Sequence, residues 1–207
     1  MTRFWTSDLH IGHENIIYFC SRPFERPAFV FDGEEDLGRT GPDVAAMNQA
    51  LLDNYNSMVS PTDEVWFVGD VVMGHFETNI KFMRKFHGDK YLVPGNHDRC
   101  HKMFPKWRKF QPAYEAAGFT VLNSEVKTHV AGHSVKVCHF PYRFTHRSDD
   151  RYSGLRPDAE GDWLIHGHTH SSERVDYDTR MVHVGVDAWD YSPVPESEIE
   201  KIILGTG

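Results

Sequence analysis

Five short blocks along the chain place hard, metal-binding side chains directly behind apolar runs. They are Asp8-Leu9-His10, Gly69-Asp70, Gly95-Asn96-His97-Asp98, His139 and Gly167-His168-Thr169-His170. Setting His97 and Asp98 aside, their donors are two carboxylates, one amide oxygen and four imidazoles, with no thiolate. That set exceeds the needs of one tetrahedral zinc and suits two ions sharing a bridge. In extended backbone, residues i and i+2 point the same way. This predicts that Asp8 and His10 converge on one ion, and that His168 and His170 converge on one ion. Asp70 offers two oxygens for a bridge, and Asn96 supplies a neutral oxygen. Two divalent ions about 3.5–4 Å apart activate a bridging hydroxide and stabilise the attacking and leaving oxygens of an in-line displacement. Their combined charge also explains how an acidic chain can hold a phosphate.

The elements that must position these blocks follow from hydrophobic period and turn residues. Residues 2–7 read as a strand ending at Asp8, and 13–20 as a helix. Residues 21–42, rich in Pro, Gly and charge, read as a long surface loop. Val44, Met47, Leu51, Leu52 and Tyr55 recur at helical spacing over 43–59, with Asp43 as N-cap and Pro61 beyond the end. Strands at 65–68 and 90–93 run into Gly69-Asp70 and Gly95-Asn96-His97-Asp98, with helices at 76–86 and 110–117. Strands follow at 119–121, 125–130, 135–139, 163–166, 173–177 and 181–184, and residues 197–204 close the chain. Residues 141–161 read as a second long loop. Helix–strand alternation followed by consecutive strands predicts one α/β domain over 1–207, a sandwich with more than one sheet. Ligands at strand ends are where such sheets place them.

Composition narrows the class. Of 207 residues, 40% are hydrophobic and 25% charged, and mean hydropathy is −0.52. These values exclude a disordered tail, a collagen-like fibre and a membrane channel. The first twenty residues hold Asp8, His10, His13 and Glu14, so no signal-peptide apolar region can be drawn there. No CxxC joins the three cysteines, Cys20, Cys100 and Cys138, and a reducing cytoplasm is the expected compartment. A formal charge of −8 gives no general pull on a long polyanion, so no extended nucleic-acid surface is expected.

The ordered set DxH, GD, GNHD, H, GHxH over residues 8–170 resembles the calcineurin-like metallophosphoesterase superfamily. The flanking text, DLHIGHENIIYFCSRPF from Asp8 and VGVDAWDYSPV from Val184, resembles a small bacterial and bacteriophage branch. The resemblance implies a four-layer αββα sandwich, two mixed sheets flanked by helices, with a dimetal site at one sheet edge. It implies that Asp8, His10 and His170 hold the first ion, that Asn96, His139 and His168 hold the second, and that Asp70 bridges. His97 matches the catalytic histidine, which stabilises the transition state or protonates the leaving oxygen, and Asp98 orients it. Mn²⁺ fits such oxygen and imidazole donors, as do Fe and Zn. No motif position departs from the pattern.

Around these blocks, His13, Arg99 and Arg143 are positioned to contact a substrate phosphate, or are solvated loop groups. Arg suits bidentate phosphate contact. His75, His87, His129, His133, His166 and His183 read as surface, core or supporting residues. Asp187 and Trp189 read as packing, and Cys138 as buried. The expected activity is hydrolysis of a small phosphodiester or nucleotide, 2′,3′-cyclic nucleotides included. A phosphomonoesterase or protein phosphatase is the second reading, and a non-catalytic metal-bound scaffold the third. A metallo-β-lactamase-like hydrolase is excluded because HxHxDH is absent: Ser171 and Ser172 follow His170.

Overall fold

The structure, a computed structural model, describes residues 1–29, 35–142 and 151–206. Arg143 lies outside the described residues. In chain order the elements are β1 (Arg3–Thr6), α1 (Asn15–Phe19), β2 (Glu25–Phe29), β3 (Glu35–Pro42), α2 (Val44–Met58), β4 (Glu64–Phe67), α3 (Phe76–Phe82), β5 (Asp89–Leu92) and α4 (Trp107–Ala116). Then come β6 (Phe119–Val121), β7 (Glu125–Val130), β8 (His133–Cys138), β9 (Trp163–His166), β10 (Val175–Asp176), β11 (Met181–His183), β12 (Val194–Pro195) and α5 (Glu196–Leu204).

Two mixed sheets and flanking helices make an α/β sandwich. The first sheet runs β12-β1-β4-β5-β6, with β12 antiparallel at the edge and the other four parallel. Parallel neighbours need crossovers, and α2, α3 and α4 lie in them. The second runs β10-β11-β9-β8-β7, parallel through β11, β9 and β8. Period-two alternation sorts each strand between two cores. Phe4, Val65, Phe67 and Leu92 pack with Met47, Leu51 and Tyr55 of α2, Ile80 of α3 and Tyr114 of α4. Trp5 faces the opposite way, into the inter-sheet core with Val137, Ile165 and Val182. Leu164 and Met181 turn to the outer face of the second sheet, where Phe140, Tyr142, Tyr152 and Leu155 cover them.

Because the parallel strands share a direction, the segments after β1, β4 and β5 leave from one edge. Those after β8 and β9 leave the second sheet beside them. The junction is closed by a parallel bridge from Ser7 to Gly185, while within the second sheet the Gly167 N–H donates to the His139 carbonyl at 3.0 Å.

Asp43 caps α2 as expected, its Oδ1 accepting the Ala46 N–H at 2.9 Å, a contact generally worth about 1 kcal/mol. The segment 21–42 differs from its reading as a loop. It holds the antiparallel β2–β3 pair, with a register shift between Pro27 and Ala28. Pro and Gly obscured the pairing, because a bulged two-stranded ribbon tolerates both. Among the described residues no helix is long and apolar enough to cross a membrane.

Candidate metal centre

Three of the five blocks leave their strands not in extended backbone but in left-handed turns. Asp8 (φ +59°), His10 (+51°), Asp70 (+55°), His168 (+72°) and His170 (+50°) all have positive φ. Non-glycine residues adopt this region at a cost of roughly 1–3 kcal/mol each, sustained only where the surroundings over-determine it. Here the Asp8 N–H donates to the Gly69 carbonyl at 3.1 Å and the His10 N–H to the Asp70 carbonyl at 3.0 Å. The His168 N–H donates to the Asp8 carboxylate at 2.9 Å. The glycines of the motifs are cradles. A Cβ on Gly95 would enter the Asp70 carboxylate and the His139 ring, and one on Gly167 would enter Ser7 and Asp8. Gly69, at φ +91°, leaves no room beside His139 and Gly95.

These turns correct the expectation that His168 and His170 converge on one ion. His170 Nε2 lies 3.8 Å from Asp8 Oδ1, and Asp8, His10 and His170 place their donor atoms within 4.8 Å of one another. His168 goes elsewhere: its Nδ1 is 2.9 Å from Asn96 Oδ1, which also lies 3.0 Å from His139 Nε2. Asp70 stands between the groups, with Oδ2 3.6 Å from His10 Nε2 and 3.4 Å from His139 Nε2. Asp8 also lies in a second cluster with Asp70 and His139. All seven side chains meet where the sheets abut, and Asp8, His10, Asp70, Asn96 and His139 are buried.

Burial and charge oppose one another here. Burial raises the Asp8 and Asp70 carboxyls, but His139 and the neighbouring imidazoles outweigh it and hold both below the usual range. Burial lowers His10 to about 3 and His168 to about 4. His139 is also driven down by burial, yet Asp70, Asp8 and the Val68 carbonyl bring it up to about 9. His170 reaches about 10, because Asp187, Cys20 and Asp8 outweigh its burial. The His139 Nδ1–H donates to the Val68 carbonyl at 2.8 Å, which turns Nε2 toward the centre.

His97 is exposed beside this cluster, its ring centroid 5.4 Å from that of His10, and its backbone N–H donates to Asp70 Oδ1 at 2.8 Å. Asp98 makes different contacts from those expected of a residue orienting His97. Its buried carboxylate accepts the N–H groups of Asp70, Gly95 and Val71 at 2.8, 2.8 and 3.2 Å, so it binds two loops together. His13 is half-buried, with its ring 5.4 Å from that of His10. The Arg99 guanidinium lies over Phe76 and Phe110, at 4.8 and 5.2 Å, because the left-over face of those rings attracts a cation. His166 and His183 are buried, their rings 5.4 Å apart.

Asp187, read from the sequence as packing, accepts the His170 Nδ1–H at 2.8 Å and pairs with Arg22. Cys20 also lies within 4.8 Å of His170 and Asp187. Only their presence in the segments flanking the blocks hinted at a role.

The donors fit divalent cations. His10 Nε2 is buried without a hydrogen-bond partner while facing Asp70, as an imidazole awaiting a cation would be. The carboxylate, amide and imidazole mixture suits Mn, Fe or Zn. Asp8, His10 and His170 would hold one ion, and Asn96, His139 and His168 another, with Asp70 between.

The profile of the calcineurin-like phosphoesterase superfamily domain matches residues 44–190. The chain is 32% identical to the Gene 66 protein of Mycobacterium phage L5 over 91% of its own length and 88% of that protein. It is 31% identical to the Gene 66 protein of phage D29, covering 98% and 96%. Among solved structures it is similar to AQ665 from Aquifex aeolicus, a protein of unknown function, with a TM-score of 0.64, 23% identity, and coverage of 97% and 98%.

Proposed function

Because the chain belongs to the calcineurin-like phosphoesterase superfamily, we propose that it hydrolyses small phosphodiesters, 2′,3′-cyclic nucleotides among them, at a dinuclear metal centre. The observation that carries this reading is the position of Asp70 Oδ2, 3.6 Å from His10 Nε2 and 3.4 Å from His139 Nε2. One carboxylate thus lies near an imidazole of each candidate donor group. When bound, two divalent ions supply Lewis acidity for the phosphate oxygens and a water acidic enough to attack at neutral pH. Mn²⁺ is the preferred occupant.

The chain's own residues do the rest. Asp8, His10 and His170 would hold the ion on one side, and Asn96, His139 and His168 the ion on the other, with Asp70 between them. His97 has its backbone pinned to Asp70 and its ring exposed, so the ring protonates or stabilises the departing ester oxygen. His13, on the His10 side, contacts the substrate. We place the protein in the cytoplasm, acting on a small substrate without membrane or extended nucleic-acid contact.

The test is turnover of bis-p-nitrophenyl phosphate against p-nitrophenyl phosphate by chelator-stripped protein, with and without Mn²⁺. Metal-dependent preference for the diester is expected, followed by turnover of a 2′,3′-cyclic nucleotide. Preference for the monoester would transfer the proposal to a phosphatase. No turnover of either, with two ions bound, would leave the scaffold.

A further inference from the structure

Two sequence segments flank the metal blocks without entering them, residues 11–24 and 184–194, and they meet at one buried ion pair. Arg22 is 1% exposed. Its Nε donates to Asp187 Oδ1 at 2.8 Å and its Nη2 to Asp187 Oδ2 at 3.0 Å. The same guanidinium reaches the turn that carries two ligands: Nη2 donates to the Asp8 carbonyl at 2.8 Å and Nη1 to the Leu9 carbonyl at 3.0 Å. Asp187 Oδ2 accepts in addition the Nδ1–H of His170, at 2.8 Å. Arg22 therefore ties the Asp8 backbone, and Asp187 ties the His170 ring, to one salt bridge spanning 165 positions of sequence.

The chemistry of the three groups leaves little freedom. A carboxylate can only accept, so His170 must carry its proton on Nδ1. Nε2 then turns to Asp8 Oδ1, 3.8 Å away, with its lone pair available once its proton is lost. Removing Asp187 would free the ring to rotate and to adopt the other tautomer. It would also strand a buried guanidinium, which is strongly unfavourable. The rigid fork of Arg matches a carboxylate in two places, a fit Lys cannot reproduce.

We propose that Arg22 and Asp187 are a positioning pair that sets the tautomer and placement of His170 relative to Asp8, so that the Asp8/His10/His170 site is completed only when these two flanking segments close on each other. The inference rests on the metal reading given above. It accounts for both flanking segments, which the five blocks alone leave without a role. Carboxylates behind metal-bound histidines commonly contribute 10–100-fold to affinity.

The test is a titration of chelator-stripped wild-type protein, Asp187→Asn and His97→Ala with Mn²⁺ and, for its visible spectrum, Co²⁺. Wild type and His97→Ala should take up two equivalents alike. Asp187→Asn should hold one equivalent at wild-type affinity and bind the other about 10–100-fold more weakly. Two equivalents at wild-type affinity, or equal weakening of both, would overturn the proposal. Arg22→Lys, which keeps the buried charge, serves if Asp187→Asn does not fold, and the same selective loss is expected. ¹⁵N-resolved proton spectra of metal-free wild type, assigned with His170→Gln, should show a slowly exchanging, downfield His170 Nδ1–H that is lost in Asp187→Asn; its absence from wild type would sink the idea. Absence of metal uptake by wild type would defeat the metal reading instead, while the ¹⁵N result would still judge the pair.

Discussion

The carboxylate of Asp98 accepts the backbone N–H of Asp70 at 2.8 Å, across 28 positions of sequence. The same side chain holds Gly95 and Val71, so it welds the turn after β4 to the turn after β5. Asp70 and Asn96, which would serve as ligands, ride on those two turns.

Asp98→Ala leaves three buried N–H groups without an acceptor. A buried donor so orphaned costs about 1–3 kcal/mol, and the expected result is a loss of several kcal/mol in urea unfolding of the metal-free protein. Asp98→Asn keeps one acceptor oxygen and should lose less. Wild-type stability in Asp98→Ala would refute the assignment of Asp98 to the loops.

His97→Ala removes an exposed ring that is no part of either donor set, while its backbone N–H to Asp70 remains. Turnover is expected to fall by about 10²–10⁴ with the metal content unchanged. The check is a steady-state assay beside elemental analysis of the same sample; equal losses in both would contradict the role of His97.

Metal uptake should be pH-linked. His139 and His170 titrate at about 9 and 10, so in the metal-free protein both carry a proton at pH 7. A ligating Nε2 must give that proton up. Loading at pH 7 should therefore release about two protons per protein, and apparent affinity should rise with pH from 6 toward 9. His10 and His168, at about 3 and 4, are already neutral and release none. Calorimetry in two buffers of different ionisation enthalpy counts the protons, and a count of zero would reject this account.

Gly95→Ala drives a methyl group into the Asp70 carboxylate and the His139 ring. Overpacking of this kind costs about 1–3 kcal/mol, and here it moves a carboxylate that stands between both donor sets. Weaker uptake of both ions is expected, with a moderate drop in Tm. Undiminished uptake in the titration would show that the loop can yield.

Much of the fold was legible because its signals are local. The parallel strands β1, β4 and β5 end at Thr6, Phe67 and Leu92, shortly before Asp8, Asp70 and Asn96, and α2 begins after the Asp43 cap. The β2–β3 ribbon was not legible: its Pro and Gly content is that of a loop, and pairing between two strands is a non-local property. Asp187 was read as packing because its partners, Arg22 and His170, lie 165 and 17 positions away.

The sequence by itself determined which donors exist and that they follow strands: hard oxygen and imidazole groups, no CxxC, and glycines at the approaches. Donor chemistry belongs to each residue type, and a strand end shows in a few neighbouring positions. Only the tertiary structure supplied the physical reason for the division of donors that the motif resemblance implied and local spacing missed. His168 and His170 sit two positions apart, yet their left-handed backbone sends one to Asn96 and the other to Asp8. The same holds for Asp98, which turned to the loops, for Arg99, which turned to the aromatic rings, and for Arg22 and Asp187, which found each other. Side-chain direction depends on backbone φ and on contacts closed by the whole sandwich, and neither is written in local spacing.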